Sequence, residues 1–219
     1  MQGQFLIRLK LGMINMMIRL EGEKDYREVE ELVRDSFWNV YRPGAYEHFI
    51  VHNLRDDESF LRDLAYVIEE NGKIVGHINY SKGTISYESG IVPAVVLGPL
   101  AIKKNCQNHG LGSKLIDYTL QIAQGDNIPF ILVIGDEDYY SRFGFVSASK
   151  YGLYLDGTDL DDENPFFMIK VFDEGKVKKE LGIFRNPDVF DVDDEEVDEF
   201  DKQFEYMEKL VLDTQLKEL

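Results

Sequence analysis

Cysteine is nearly absent from this chain. Cys106 stands alone among 219 residues, which excludes an internal disulfide and any zinc site built on cysteines. A reducing compartment such as the cytoplasm fits that usage. Positive charge is scarce too: 24 Lys and Arg stand against 41 Asp and Glu, for a net charge of −17. So acidic a surface repels nucleic acid and anionic membranes, and neither is expected as a partner. It is compatible with a cationic substrate such as an amine, although solubility alone also accounts for it. Long apolar runs are missing as well. The longest uncharged stretch near the start, Leu11–Ile18, is too short to span a bilayer. A signal peptide would need a longer apolar centre and a small-residue cleavage site.

What is present is ordinary for a globular protein: 44% hydrophobic and 30% charged residues, enough for a substantial core. The length suits one large domain, or a domain with an appendage. The domain pattern begins at Met16–Leu20, a short strand. Residues 1–15 read as a leader, either disordered or the product of a start assigned too early, with Met16 or Met17 the true one. Lys24–Trp38 follows as a helix, because Val29, Leu32, Val33 and Phe37 recur at helical spacing. Pro43-Gly44 breaks the chain before a second helix over Tyr46–Leu54. Leu64–Glu70 and Lys73–Tyr80 read as a hairpin around Asn71-Gly72, a pair that tolerates positive φ.

Ile91–Ile102 is an apolar, β-branched run, expected to be a central strand that bulges near Gly98-Pro99, since proline removes a ladder donor. Gly110–Gln124 is the clearest helix, with Leu111, Leu115, Ile116, Thr119, Ile122 and Ala123 on one face. Phe130–Ile134 is a short buried strand, Asp136–Phe143 a short helix ending at Gly144, and Phe145–Ala148 and Phe166–Phe172 the last strands. The order predicts a mixed α/β sheet flanked by helices over residues 16–190. Residues 191–219 are expected to form an acidic amphipathic helix starting near Asp193. Its seam is Val197, Phe200, Phe204, Met207, Val211 and Thr214. That seam is expected to dock on the domain or on a second subunit, the latter giving a homodimer.

The stretch with chemical content is Val95–Ile102, then Lys103–Cys106, then Gln107-Asn108-His109-Gly110-Leu111-Gly112. It places closely spaced glycines between a buried strand and a long helix. The first amides of a helix lack intrahelical acceptors and sit at the positive end of its dipole. Glycine lets an anion approach the backbone, so a pyrophosphate is the natural guest. The GxGxxG of dinucleotide folds and the GK[ST] of Walker loops are both absent. By itself, a Gly-x-Gly at a helix start is also what an ordinary helix N-terminus shows.

Gln107-x-x-Gly110-x-Gly112 after a proline-interrupted strand resembles the coenzyme A loop of the GNAT (GCN5-related) N-acetyltransferases. Gly135-Asp136-Glu137-Asp138-Tyr139-Tyr140-Ser141-Arg142-Phe143-Gly144-Phe145 is similar to the second signature of that superfamily. The likeness runs from about Met17 to Phe190. It is nearest to a bacterial small-acetyltransferase subgroup whose strand reads Leu-Gly-Pro-Leu-Ala. The resemblance implies a mostly antiparallel sheet splayed at the cofactor strand, and direct acetyl transfer from acetyl-CoA, as co-substrate and without a metal, to a primary amine of a small molecule or peptide. It implies that Leu100, Ala101 and Ile102 face the pantetheine arm. The amide of Leu100 would bond the thioester oxygen. Gln107, Asn108, His109, Gly110, Leu111, Gly112 and Ser113 would hold the pyrophosphate, with Tyr139 and Phe143 beside the cofactor. Tyr140 takes the position of the general acid, whose phenol can reprotonate the departing thiolate.

Other candidates carry less. Arg142 pairs with a phosphate or with a nearby acid. His77 reads as a hydrogen-bonded structural histidine, and Cys106 has no base beside it. Tyr87 and Glu88 precede the cofactor strand and are candidates to reach the acceptor, whose base the sequence does not name. No His and Cys spacing supports a metal site. A GNAT-fold module that senses acetyl-CoA without turnover is the competing reading, and retention of Tyr140 favours the enzyme.

Overall fold

The computed structural model describes residues 7–11, 14–160 and 164–215. Its strands are β1 (Ile7–Leu11), β2 (Ile14–Leu20), β3 (Tyr66–Glu70), β4 (Lys73–Tyr87), β5 (Gly90–Ile102), β6 (Phe130–Ile134), β7 (Val146–Ser147), β8 (Leu153–Leu155), β9 (Phe167–Val171) and β10 (Gly182–Arg185). The helices are α1 (Tyr26–Phe37), α2 (Glu47–Leu54), α3 (Leu111–Gly125), α4 (Glu137–Tyr140) and α5 (Asp194–Asp201). The strands form one ten-stranded sheet in the order β1-β2-β3-β4-β5-β6-β9-β7, with β10 on β4 and β8 on β10. Neighbours run antiparallel except β5 with β6 and β8 with β10. This is the mixed, mostly antiparallel sheet that was expected.

Two differences lie at the edges. Ile7–Leu11, within the stretch read as a leader, pairs with β2 and adds a strand to the sheet. The strand expected over Lys73–Tyr80 is longer than it read. β4 continues to Tyr87, because Thr84–Tyr87 pair both with β5 and with β10.

α3 packs on one face of the sheet with Leu111, Leu115, Ile116, Thr119, Leu120 and Ala123 buried. α1 covers the other face, where Val29, Leu32 and Val33 meet Val67, Ile74 and Ala101. Side chains of β5 therefore divide between two layers, as the strand's period of two requires. Among the described residues, no helix is long and apolar enough to cross a membrane.

The C-terminal segment departs from the expected long helix. Asp193 caps α5 by accepting from the Glu195 and Glu196 amides, but the helix closes at Asp201. Beyond it, side chains of α1 and its following turn take the backbone carbonyls that would have continued the ladder. Arg27 donates to the Gln203 carbonyl, Arg34 to that of Glu205, and Trp38 and Asn39 to that of Glu208. The seam splits accordingly. Val197 and Phe200 are buried against Phe49 of α2, whereas Val211 is 87% exposed. The segment thus straps its own domain, with Val197, Phe200 and Phe204 of the seam packed within the chain.

Candidate active site

The opening in the sheet comes from one bulge. Ile78 pairs with Leu100 and Tyr80 with Leu97, so Asn79 alone faces Gly98 and Pro99. Two residues against one is a β-bulge. Gly98 has φ +143°, and the Gly98–Pro99 peptide is cis. Asn79 is buried, and with its amide turned so that the nitrogen faces Gly98 it donates to the Gly98 carbonyl at 2.7 Å. β6 accompanies β5 only through Val95–Leu97. From Gly98 to Ile102, β5 keeps β4 on one edge, and the other edge has no strand among the described residues. The side chains of Leu100 and Ile102 pack against the α3 layer, in one cluster with Tyr140, Leu111, Tyr139 and Phe143. Ala101 points the other way, beneath α1, so only its backbone is turned toward the opening.

The free edge leads to the start of α3. Gln107 reaches back to donate to the Ile102 carbonyl at 3.0 Å, which fastens the loop to the strand end. Asn108 and Gly110 both take positive φ, +61° and +76°. A Cβ at Gly110 would meet nothing within 4 Å, so the space above it is open. The first helical bond of α3 runs from the Lys114 amide to the Gly110 carbonyl. The amides of Leu111, Gly112 and Ser113 therefore have no intrahelical acceptor. His109 is exposed on this loop. From Ile102 to Lys114 the chain carries Lys103, Lys104 and Lys114 and no acid, a local cationic stretch in a protein of net charge −17. Whole-chain charge had hidden that signal.

Past β6, Asp136 caps α4 by accepting from the Tyr139 amide at 3.0 Å, and a single 3-10 turn over Ser141–Phe143 ends at Gly144 with φ +80°. This tight turn aims two rings at the opening. Tyr139 reaches over α3, where a Cβ at Gly112 would lie 2.5 Å from its hydroxyl. Tyr140 is buried over Gly135, its ring 5.1 Å from that of Tyr139 and 5.7 Å from that of Phe145. Its hydroxyl makes no hydrogen bond to another described residue. Burial first, and then the neighbouring Tyr139, Tyr41, Tyr80 and Asp136, push the Tyr140 phenol above its usual range. It keeps its proton through neutral pH, as a general acid must. Arg142 stacks its guanidinium on the Tyr139 ring at 4.6 Å and donates to the Tyr139 carbonyl.

Several candidates fall elsewhere. His77 is fully buried, with Nε2 3.6 Å from Glu21. Desolvation pushes its pKa down to about 4, so it is a neutral structural group. Cys106 is half-buried beside Asn105. Tyr87 and Glu88 lie at the far end of the β4–β5 hairpin, roughly 25 Å along the strand from the bulge. Sequence reasoning overlooked the loop between α1 and α2. Its Tyr41, although largely exposed, has its phenol raised by partial burial and then by two carboxylates, Glu47 and Asp136. Among the described residues, no group of His, Cys, Asp and Glu is arranged to hold a metal ion.

One path thus joins a bulged strand with a free edge, a cationic helix start and a protonated tyrosine. A model of the acetyltransferase (GNAT) family matches residues 26–145, over half of the chain, and the chain belongs to that family. It is 28% identical over 138 residues to the uncharacterized N-acetyltransferase YhbS of Escherichia coli K12, covering 63% of this chain and 78% of that protein. It is 31% identical over 96 residues to the uncharacterized N-acetyltransferase YjhQ of the same strain, covering 44% and 53%. In fold it resembles the crystal structure of Escherichia coli YhbS in complex with CoA, with a TM-score of 0.70 at 22% identity over 84% of this chain and 96% of that one. It also resembles a GNAT family acetyltransferase from Brucella melitensis in complex with acetyl-CoA, with a TM-score of 0.60 at 25% identity over 80% and 97%.

Proposed function

We propose that this acyltransferase moves an acetyl group from acetyl-CoA directly to a primary amine of a small molecule or peptide. The observation that carries the reading is the continuous path from the free edge of β5 to the open start of α3, with Tyr140 at its inner end. The pantetheine arm would pair with the backbone of Leu100–Ile102 as a further strand does. The pyrophosphate would lie on the amides of Leu111, Gly112 and Ser113, above the unobstructed Gly110. Relatives crystallised with CoA and with acetyl-CoA support this assignment.

Chemistry follows from position. A backbone amide at Leu100, just past the bulge, would stabilise the oxyanion that forms when the amine attacks the thioester carbon. As that carbon expels sulfur, the Tyr140 hydroxyl would give its proton to the thiolate. Asp136 and Gly144 act at a distance, by closing the turn that aims the ring. The test is release of coenzyme A thiol from acetyl-CoA with spermidine, kanamycin, phenethylamine and a tetrapeptide with a free N-terminus as acceptors. Amine-dependent release supports transfer. Tight acetyl-CoA binding without release by any of them points instead to a sensing role.

A further inference from the structure

Helix α1 touches the end of β5 on one flank and the C-terminal strap on another. Val29, Leu32, Val33 and Ser36 recur at helical spacing. The three aliphatic residues pack on Val67, Ile74 and Ala101 of the sheet. Arg27, Arg34 and Trp38 recur on a different flank, and there the strap lies in a stack of rings and guanidinium groups. Arg34 stands 4.1 Å from the centre of the Trp38 ring and 5.2 Å from that of Phe204, and Arg27 stands 3.8 Å from that of Phe204. Polar bonds close over the stack. Arg34 donates to Asp201 at 2.9 Å and to the Glu205 carbonyl at 3.1 Å. The Trp38 indole and the Asn39 side chain both donate to the Glu208 carbonyl, at 3.0 and 2.9 Å. These bonds fall on the last turn of α1 and just beyond it, so they fix where that end of the helix stands.

Ser36 belongs to the same last turn. Its hydroxyl donates to the Leu32 carbonyl at 2.7 Å and to the Ile102 carbonyl at 3.1 Å, one proton shared between the two. Ile102 is the last residue of β5. Its carbonyl is also the group to which Gln107 fastens the loop before α3. A carbonyl oxygen has two lone pairs and can accept from both. One oxygen therefore ties α1, the free-edge strand and the coenzyme loop together. A loop held in its binding shape beforehand takes its ligand more tightly than one that must be ordered on arrival. Loosening the end of α1 loosens that tie.

We infer that the C-terminal strap sets the affinity for acetyl-CoA, by seating the last turn of α1 so that Ser36 holds the Ile102 carbonyl and, through it, Gln107. Ser36 is a positioning residue, acting on the coenzyme through Ile102 and the loop. Phe204 is the strap's hold on α1, since its ring lies against both Arg27 and Arg34. The inference rests on the coenzyme path proposed above.

The test is calorimetric titration of acetyl-CoA into the full chain as wild type, Ser36→Ala, Ser36→Thr, Phe204→Ala and the Ser36→Ala/Phe204→Ala double variant, each kept below its melting temperature. Loss of one hydrogen bond predicts that Ser36→Ala binds about threefold to tenfold more weakly. Ser36→Thr keeps the hydroxyl and should bind like the wild type. Phe204→Ala should weaken binding as well, and the double variant should be no weaker than the weaker single one, because both changes act on the same tie. Thermal melts without coenzyme separate stability from affinity: a merely structural role lowers the melting temperature and leaves the affinity of the folded protein unchanged. If Phe204→Ala does not fold, Trp38→Phe takes its place, keeping a ring and removing the bond to Glu208. Wild-type affinity in Ser36→Ala or in the strap variant overturns the inference. Losses that multiply in the double variant overturn it too, as does a Ser36→Thr protein as weak as Ser36→Ala. A wild type that binds no acetyl-CoA contradicts the coenzyme path itself, whereas tight binding that none of the variants changes contradicts only the role of the strap.

Discussion

The ring of Tyr140 occupies the place where a side chain at Gly135 would begin. An ideal Cβ on Gly135 would stand 2.4 Å from Cε2 of that ring and 3.0 Å from Cδ2. Gly135 follows the last residue of β6, so the missing side chain lets the turn fold back and seat the phenol at the mouth of the opening. Gly135→Ala must push the ring aside. We expect a loss of about 1–3 kcal/mol in stability, typical of overpacking, together with slower acetyl transfer. A thermal melt and a thiol-release assay check both, and unchanged values in the two would mean that the ring has room to spare.

At the other end of the path, Gly110 holds φ +76° beneath open space. Gly110→Glu adds the strain of a left-handed residue, about 1–2 kcal/mol, and sets a carboxylate where the phosphates would lie. Acetyl-CoA affinity should fall by about tenfold or more, since 1.4 kcal/mol suffices for that. Calorimetric titration of a folded variant measures it, and an unchanged affinity places the pyrophosphate elsewhere.

Asn79 ties the bulge together from the neighbouring strand. Asn79→Leu keeps the branched shape but leaves the Gly98 carbonyl without its donor, at a cost of about 1–3 kcal/mol for a buried polar group. The expected result is a lower melting temperature and a lower kcat. If the variant melts and turns over like the wild type, the bulge is held by β4 pairing alone.

These four glycine and asparagine positions differ in how far the sequence disclosed them. Gly110 and the Gly98-Pro99 bulge were legible because glycine and proline declare their backbone demands locally. The tyrosine turn was legible because a complete signature surrounds it. Asn79 was not, since nothing in its own neighbours says that it faces two residues of another strand. The length of α5 was misread for a related reason. Its apolar spacing continues past Asp201, but the side chains of Arg27, Arg34, Trp38 and Asn39 claim the carbonyls, and no pattern within residues 191–219 records those partners.

Asp201 is the strap's main anchor, its Oδ1 2.9 Å from both Arg34 and His48. Asp201→Ala strands two buried cationic or polar groups, and breaking a buried pair costs on the order of 3 kcal/mol. Burial raises the Asp201 pKa, but its bonds to His48 and Arg34 outweigh that and leave it lowered. A lowered folded-state pKa makes this contribution present above the ordinary aspartate pKa and lost as pH falls through the folded one. We expect the wild type to lose this part of its stability only in strong acid, and Asp201→Ala to melt lower at pH values above that. Identical melts at neutral pH would show that the strap adds nothing to the fold.

Tyr140→Phe bears most directly on the chemistry. The change keeps the ring over Gly135 and removes only the proton destined for the thiolate. Single-turnover acetyl transfer, measured beside acetyl-CoA affinity in the same variant, separates catalysis from binding. We expect the transfer rate to fall about a hundredfold or more, as loss of a general acid does, with affinity nearly intact. Transfer at the wild-type rate in Tyr140→Phe would contradict the assignment of Tyr140 as the acid and leave it a packing residue.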